Sequence, residues 1–302
     1  MNTEDTMKKL DVFLLVALMA LWGLNFSVIK LGVNHVEPLL LTAMRFAFAS
    51  FPLLLFIKRP DVPWRYLMAY GLSFGVGVWG LTTLAVYAGT SAGMASLLLD
   101  MSVVSSLLVG YVCLNERITR MKLLGSAFAL AGLAIIIRFN GGAITTKGLI
   151  LVLLASVCWS VNGLIVKRAG TRAVFAFNIW AMAFAPLPLV LLASWIHGPQ
   201  AIMNLPAKID APALFSALFQ AYPTTLLGYW FWNKMMVKYS VSSVAPMTLL
   251  VPVFGLLGGY LFYQEQLILP QVLAAVLILA GLMIGEMRGW RQRPARLQSV
   301  VD

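Results

Sequence analysis

Long apolar segments dominate this chain and leave few folds open to it. Only 11% of its 302 residues are charged, whereas soluble domains carry about 25%, so polar groups are too scarce to cover a globule in water. A helix needs about 20 apolar residues to cross a bilayer. Ten such segments lie at residues 12–31, 38–57, 66–88, 91–113, 121–137, 148–167, 174–196, 212–233, 241–262 and 270–287. The sequence therefore predicts an all-α integral membrane protein with ten transmembrane helices.

Lysine and arginine predict the direction of insertion, because cytoplasmic loops of membrane proteins retain positive charge. Of the 22 lysines and arginines, Arg45 falls inside the second predicted span. The side of the membrane opposite the N-terminus receives only Lys30, Arg138, Lys147 and Lys208. The others share the side of the N-terminus, so we expect both termini in the cytoplasm and residues 291–302 to form a basic cytoplasmic tail. Topology accounts for the net charge of +11, and no nucleic-acid partner is expected.

A polar pattern repeats in the two halves of the chain. The segment WGLNFSVIK at 22–30 recurs as WSVNGLIVK at 159–167, an offset of 137 residues that keeps Trp, Asn and Lys in register. Matches later in each half share an offset of 149, and an insertion in the loop at 197–211 explains the difference. Five helices are an odd number, so the second half must enter the membrane in the opposite orientation. We predict two inverted five-helix repeats, residues 1–140 and 141–290, an architecture typical of transporters.

Four motifs occur in order along the chain, namely WGLNFSVIK, MRF at 44–46, NERI at 115–118 and VAPMTLLVPVFGLLGGYLFYQEQL at 244–267. Together they resemble the drug/metabolite transporter superfamily, EamA type. The resemblance covers residues 10–290, and the chain is most similar to bacterial exporters of cysteine-pathway metabolites and other amino acids. The resemblance implies a multi-pass protein of the bacterial inner (plasma) membrane that exports small amino-acid-like metabolites.

Asn25 and Asn162 place equivalent amide groups inside predicted spans. One interpretation is a hydrogen bond between helices, worth about 0.6–2 kcal/mol. The other is a pair of amides that bind the amine or carboxylate of a substrate where the two halves meet. Both stay open, and Trp22 and Trp159 join these residues as candidates for the substrate path.

Arg45 and Asp100 are the full charges that lie well inside predicted spans. At ~1.5 Å per residue they lie ~10 Å and ~13 Å below the outer ends of their helices. A structural ion pair is one possibility, since pairing lowers the cost of burying both charges. Alternatively, Arg45 attracts a substrate carboxylate while Asp100 binds the substrate amine or carries a coupling proton.

Prolines interrupt two predicted spans. Tyr222 and Trp230 lie on either side of Pro223 in the eighth span, which predicts a break that faces the substrate path. Pro246 and Pro252 lie in the ninth span. Because proline removes a helical hydrogen bond and kinks the helix, we expect all three prolines to act as hinges.

Charged residues near the ends of spans have structural interpretations. Glu116 and Glu265, 149 residues apart, each end the fourth helix of a half, and we expect them to cap the next helix or form loop salt bridges. Lys30 and Lys167 end the repeated segment and can extend their ammonium groups to the membrane surface. Lys30 could also recruit anionic groups at the outer face.

Sequence motifs narrow the class of function. A Walker A sequence is absent, so direct ATP hydrolysis is disfavoured. Clustered acids, bases, nucleophiles or metal ligands are also absent, so we expect no enzyme activity, metal or cofactor. The predicted function is a secondary-active exporter that works by alternating access, with proton coupling as an option. A broader drug or nucleotide-like solute transporter and a non-transporting scaffold or sensor remain alternatives. Expected partners are a small-molecule substrate and membrane lipid, with a monomer or homodimer both open.

Overall fold

The computed structural model describes residues 7–114, 118–139, 141–239 and 241–286, and their regular structure is helical, without strands. Helices lie at all ten predicted segments. The first half contains α1 (Lys9–Val33), α2 (Pro38–Leu54), α3 (Trp64–Tyr87), α4 (Ala92–Leu99), α5 (Ser102–Leu114) and α6 (Arg120–Arg138). The second half contains α7 (Thr146–Ala169), α8 (Val174–Met182), α9 (Pro186–His197), α10 (residues 211–238), α11 (Leu250–Tyr263) and α12 (Leu269–Glu286). Two four-residue helices, Gln200–Met203 and Leu205–Lys208, lie between α9 and α10.

Seven helical stretches of the described chain are long and apolar enough to cross a bilayer. They are Lys9–Val33, Trp64–Tyr87, Ala92–Cys113, Arg120–Arg138, Thr146–Ala169, Val174–His197 and Ala245–Tyr263. The helices α2 and α12 are also apolar but shorter. The multi-pass membrane character expected from the sequence is therefore confirmed, while the count of ten spans and the orientation of the termini stay predictions.

Two long helices each contain a π-helical segment, in which backbone bonds run from residue i to residue i+5. The segment in α3 is Leu72–Gly80, and the one in α10 is Gln220–Leu227. Pro223 lies inside the second segment, and α10 continues through it without the break expected from the sequence. Such π-segments often mark functional sites.

Breaks within predicted spans occur at three places of the described chain: between α4 and α5, between α8 and α9, and before α11, where Pro246 lies. The helices α4 and α5 are separated by Asp100 and Met101, although this stretch has no proline. A 3₁₀ segment, Ala245–Leu249, precedes α11 and carries Pro246 in its first turn. Pro252 lies in the first turn of α11, where a missing N–H costs no intrahelical bond.

The helices pack mainly across the two halves of the chain. The helix α1 contacts α10 and α11, α7 contacts α3 and α5, α2 contacts α8 and α9, and α6 runs along α12. Glycines permit the closest approaches: a Cβ atom on Gly125 of α6 would lie 2.3 Å from the carbonyl oxygen of Gly281 in α12. These contacts leave a cavity among the helices in which several of the candidate residues meet.

Candidate functional site

A cavity of about 180 Å³ lies among α1, α2, α3, α4, α5, α7, α10 and α11. Five residues singled out from the sequence line it together, namely Trp22, Asn25, Arg45, Asp100 and Trp159. The fold therefore brings residues from both halves of the chain to one site.

Arg45 is buried on α2 and held by neutral groups of α10. Its Nε and Nη2 atoms donate to Thr225 Oγ1 at 3.1 and 3.0 Å, and Nη1 donates to Gln220 Oε1 at 3.5 Å. The guanidinium carbon lies 3.9 Å from the centre of the Trp79 ring, a cation–π contact. None of these partners carries a negative charge, so the protein orients the guanidinium without neutralising it.

Asp100 lies at the end of α4, where the helix breaks, and its backbone N–H donates to the Leu98 carbonyl. Its Oδ2 atom is buried and has no hydrogen-bond partner in the described part of the chain. The ion pair with Arg45 that the sequence left open does not form, because α10 engages the guanidinium. A basic and an acidic side chain thus face one cavity without contacting each other.

Aromatic rings form much of the cavity wall. Trp22 Nε1 donates to the Thr224 carbonyl at 2.9 Å, and the Trp22 ring lies 5.4 Å from that of Tyr229. The rings of Trp79 and Trp159 lie 6.2 Å apart. Such surfaces can pack against the carbon skeleton of a ligand and attract a cationic group.

The two equivalent asparagines occupy different surroundings. Asn25 lines the cavity at 1% exposure, and its Oδ1 atom has no partner among the described residues. Asn162 is also buried on α7, but it lies outside the cavity lining and neither of its amide atoms has such a partner. The interhelical hydrogen bond considered from the sequence is therefore not made by Asn162.

Two residues of α10 do not line the cavity, contrary to the sequence prediction. Tyr222 and Trp230 are 42% and 47% exposed, and Thr224 and Tyr229 line the cavity in their place. Residues five apart point about 140° apart on an α-helix of 3.6 residues per turn, whereas i+5 bonding in a π-segment brings them towards one face. Thr224 lies inside the π-segment and Tyr229 just beyond it, so the facing of α10 departs from a uniform α-helical period.

Sequence reasoning also missed residues that hold Arg45. These are Trp79, Gln220 and Thr225. For Gln220 and Thr225 the sequence contained a signal, because the polar residues of QAYPTTLL lie within an otherwise apolar span. Polar side chains inside a membrane segment tend to face a partner or a water-filled path.

Glu265 joins three elements at the end of the bundle that carries Lys30. Its Oε1 atom accepts from Lys30 Nζ at 2.8 Å and from Ala92 N at 2.9 Å, and Oε2 accepts from Gly93 N at 3.2 Å. It therefore caps α4 of the first half rather than the helix that follows it in sequence. The Lys30 ammonium also lies 4.4 Å from the centre of the Tyr263 ring.

Lys167 is in the last turn of α7 and does not line the cavity. Glu116 and the tail at 291–302 lie outside the described residues.

The EamA-like transporter family matches the chain twice, over residues 9–138 and 146–285. The chain belongs to this family. The family is one of transporters, so this EamA-like protein has a small-molecule substrate. Its long apolar helices agree with a multi-pass membrane protein.

Curated relatives agree with this membership, and a solved structure shares the fold. A probable amino-acid metabolite efflux pump of Salmonella typhimurium is 34% identical, covering 96% of this chain and 99% of its own length. Its Escherichia coli counterpart is 32% identical, with 92% and 95% covered. A probable terminal-alkyne amino-acid exporter of Streptantibioticus cattleyicolor is 27% identical, with 90% and 92% covered. One crystal structure, at 15% identity, covers 92% of this EamA-like chain and 97% of its own with a TM-score of 0.62, which shows a common fold.

Proposed function

We propose that this protein exports small amino-acid-like metabolites across a bacterial inner membrane by alternating access. One observation carries the proposal: Arg45 and Asp100 face the same cavity but do not neutralise each other. An amino acid carries the two complementary charges on one small molecule. The names of relatives in Salmonella typhimurium and Streptantibioticus cattleyicolor, which refer to amino-acid metabolite efflux and amino-acid export, agree with this substrate class.

The cavity offers each part of such a substrate a partner. Arginine has five N–H donors, and the three directed at Thr225 and Gln220 leave others for a carboxylate. The substrate ammonium would donate to Asp100 Oδ2 and to Asn25 Oδ1, both unpartnered in the described chain. Charge-assisted hydrogen bonds of this kind are the stronger ones, and the aromatic walls would pack against the side chain.

An inverted repeat supplies the framework for alternating access, with residues 1–140 and 141–290 as its halves. Three observations support it. The family matches each half separately. A π-segment occurs at Leu72–Gly80 and again at Gln220–Leu227, near the offset of the later sequence matches. The contacts of α1 with α10 and α11 are mirrored by those of α7 with α3 and α5, while the pairs α6–α12 and α2–α9 map onto themselves.

Alternating access requires that the two ends of the cavity open in turn. The end near Lys30 is held together by Glu265, which bonds to Lys30 of α1 and to the first residues of α4. We infer that these bonds break when the protein opens to the outside. Orientation of this end towards the outside follows from the lysine and arginine distribution.

Proton coupling through Asp100 extends the proposal. A carboxylate left in the membrane interior without a cation is costly, and a proton would neutralise it once the substrate ammonium has left. Substrate and proton would then compete for the same carboxyl group, which is the requirement for exchange of one against the other.

Reconstituted liposomes test the function. The purified chain is expected to move labelled small amino acids and to respond to a pH gradient. Asp100→Asn is expected to remove the response to the gradient, while Asp61→Asn, which makes the same charge change at an exposed loop position, keeps it. Movement of nucleotides or cationic drugs in place of amino acids would overturn the substrate class. Flux that ignores the gradient in the unaltered chain would overturn proton coupling.

A further inference from the structure

A second cleft, of about 170 Å³, lies between α5, α6 and α12. We call it the access cleft, and Val103, Ser106, Lys122, Gly125, Gly281 and Gly285 are among the residues that line it. Three of these are glycines, so α6 and α12 present little side-chain volume to the space. A Cβ atom built on Gly285 would meet no atom of the described residues within 4 Å.

Val103 lines both the access cleft and the central cavity. It lies in the first turn of α5, and its backbone N–H donates to the Asp100 carbonyl at 3.0 Å. The cleft continues along α5 to Leu107, about 6 Å further at ~1.5 Å per residue. The side chain of Val103 therefore stands between the cleft and the cavity.

A different arrangement occurs at the opposite end of the cavity, among the described residues. A third depression contains Lys30, Thr90 and Glu265, but it shares no described lining residue with the cavity. Between the two, Gly255 of α11 lies so close to α4 that a Cβ atom would fall 2.0 Å from Ser96 Oγ. The helices α4 and α11 are thus closely packed between the cavity and this depression.

The chemistry of the access cleft suits an anionic or zwitterionic solute. Lys122 supplies a positive charge at the beginning of α6, and Ser106 and Ser126 supply hydroxyl groups. Positive charge in a cleft with low-dielectric walls raises the local concentration of a carboxylate. Val103, by contrast, is apolar, so it presents a short apolar barrier between the access cleft and the cavity.

We propose that substrate reaches the cavity through the access cleft, and that Val103 is the constriction that it passes. The inference rests on the proposed export function and deepens it, because it assigns the route by which a small carboxylate-bearing solute reaches Arg45 and Asp100. It also assigns the end of the protein from which loading occurs, the end that carries Cys113 and Lys122.

Transport by size variants of residue 103 is the first test. Val103→Trp is expected to reduce amino-acid flux to background, and Val103→Ala is expected to retain flux. Val112→Trp, at a 72% exposed position on the same helix, is the matched control and should transport normally. Full flux in Val103→Trp would overturn the constriction.

Thiol labelling is the second test and needs no transport. The background is a chain in which Cys113 and Cys158 are replaced by Ala. Val103→Cys and Val104→Cys are introduced into it separately, and each protein is treated in sealed vesicles with a membrane-impermeant methanethiosulfonate. A chain that keeps Cys113 alone, an exposed residue of α5, identifies the reference side. Labelling of both new cysteines from that side is expected. Labelling from the other side alone, or none in either variant, would overturn the route.

Substrate protection separates this inference from the proposed function. At an amino-acid concentration ten times Kd, the unoccupied fraction falls about tenfold, so labelling of Val103→Cys should slow to that extent while labelling of Cys113 is unchanged. If the cysteine-free chain moves no amino acid, the proposed function fails, and the labelling rates without substrate still decide the route. If it transports but Val103→Cys is not protected, the constriction is wrong.

Discussion

Thr225 is the residue through which α10 orients Arg45, and its removal should change recognition of the substrate carboxylate. Thr225 Oγ1 accepts from two nitrogens of Arg45 and donates to the Gln220 carbonyl at 2.7 Å. Thr225→Val keeps the shape of the side chain but removes all three bonds. The guanidinium then keeps its long bond to Gln220 and its contact with Trp79.

The magnitude follows from the bonds lost. A hydrogen bond to a charged group contributes about 1.5–3 kcal/mol. The freed guanidinium re-orients, and the substrate carboxylate then loses one such hydrogen bond. At the lower value, about 1.5 kcal/mol, this loss raises the KM for an amino acid about tenfold. The decarboxylated amine of the same amino acid lacks the group that Arg45 binds, so its KM should not change.

Thr224 provides the matched control. Its Oγ1 atom also donates to the Gln220 carbonyl at 2.7 Å but does not contact Arg45. Flux is measured in liposomes for Thr225→Val, Thr224→Val and Thr225→Ser, with the amino acid and its amine. We expect the increase in KM in Thr225→Val alone, for the amino acid alone, with Thr225→Ser close to the unaltered chain. Equal effects of the two valine variants, or an equal effect on the amine, would refute the positioning of Arg45 by Thr225.

Three further predictions concern stability and gating. Gly125→Ala places a Cβ atom 2.3 Å from a backbone oxygen of α12 and should lower the Tm in detergent. Gly163→Ala, with open space around it, should not, and equal Tm values of the two variants would contradict the packing. Glu265→Gln should weaken the bonds to Lys30 and α4, so that a cysteine at Ser96 reacts faster with an impermeant thiol reagent added outside; an unchanged rate would argue against a gate. Hydrogen bonds from the Ala213 N–H, the larger effect, and from His35 lower the pKa of Asp210. This carboxylate therefore stabilises the fold at pH values above its ordinary pKa of 3.8. The contribution disappears as the pH falls through the lowered pKa. The Tm difference between the unaltered chain and Asp210→Asn should therefore be present at neutral pH and vanish in acid.

Local properties of the chain were enough to predict its helices and many of its cavity residues. Length and hydropathy are properties of each segment by itself, so the helical segments could be located without tertiary information. Polar side chains are costly in lipid, so Asn25, Arg45 and Asp100 stood out as candidates for a path through the protein. The repeat of Trp22 at Trp159 identified two further residues that line the cavity.

Tertiary structure decided which faces and partners those segments use. The choice of Thr224 and Tyr229 over Tyr222 and Trp230 accompanies a π-segment, whose extra residue per turn leaves little trace in composition. Arg45 pairs with α10 rather than Asp100 because residues 180 positions apart meet in the fold, and the break at Asp100 occurs without proline. Hydropathy determines that a segment is helical and in the membrane, but facing and pairing depend on contacts between distant segments, which the order of residues alone does not specify.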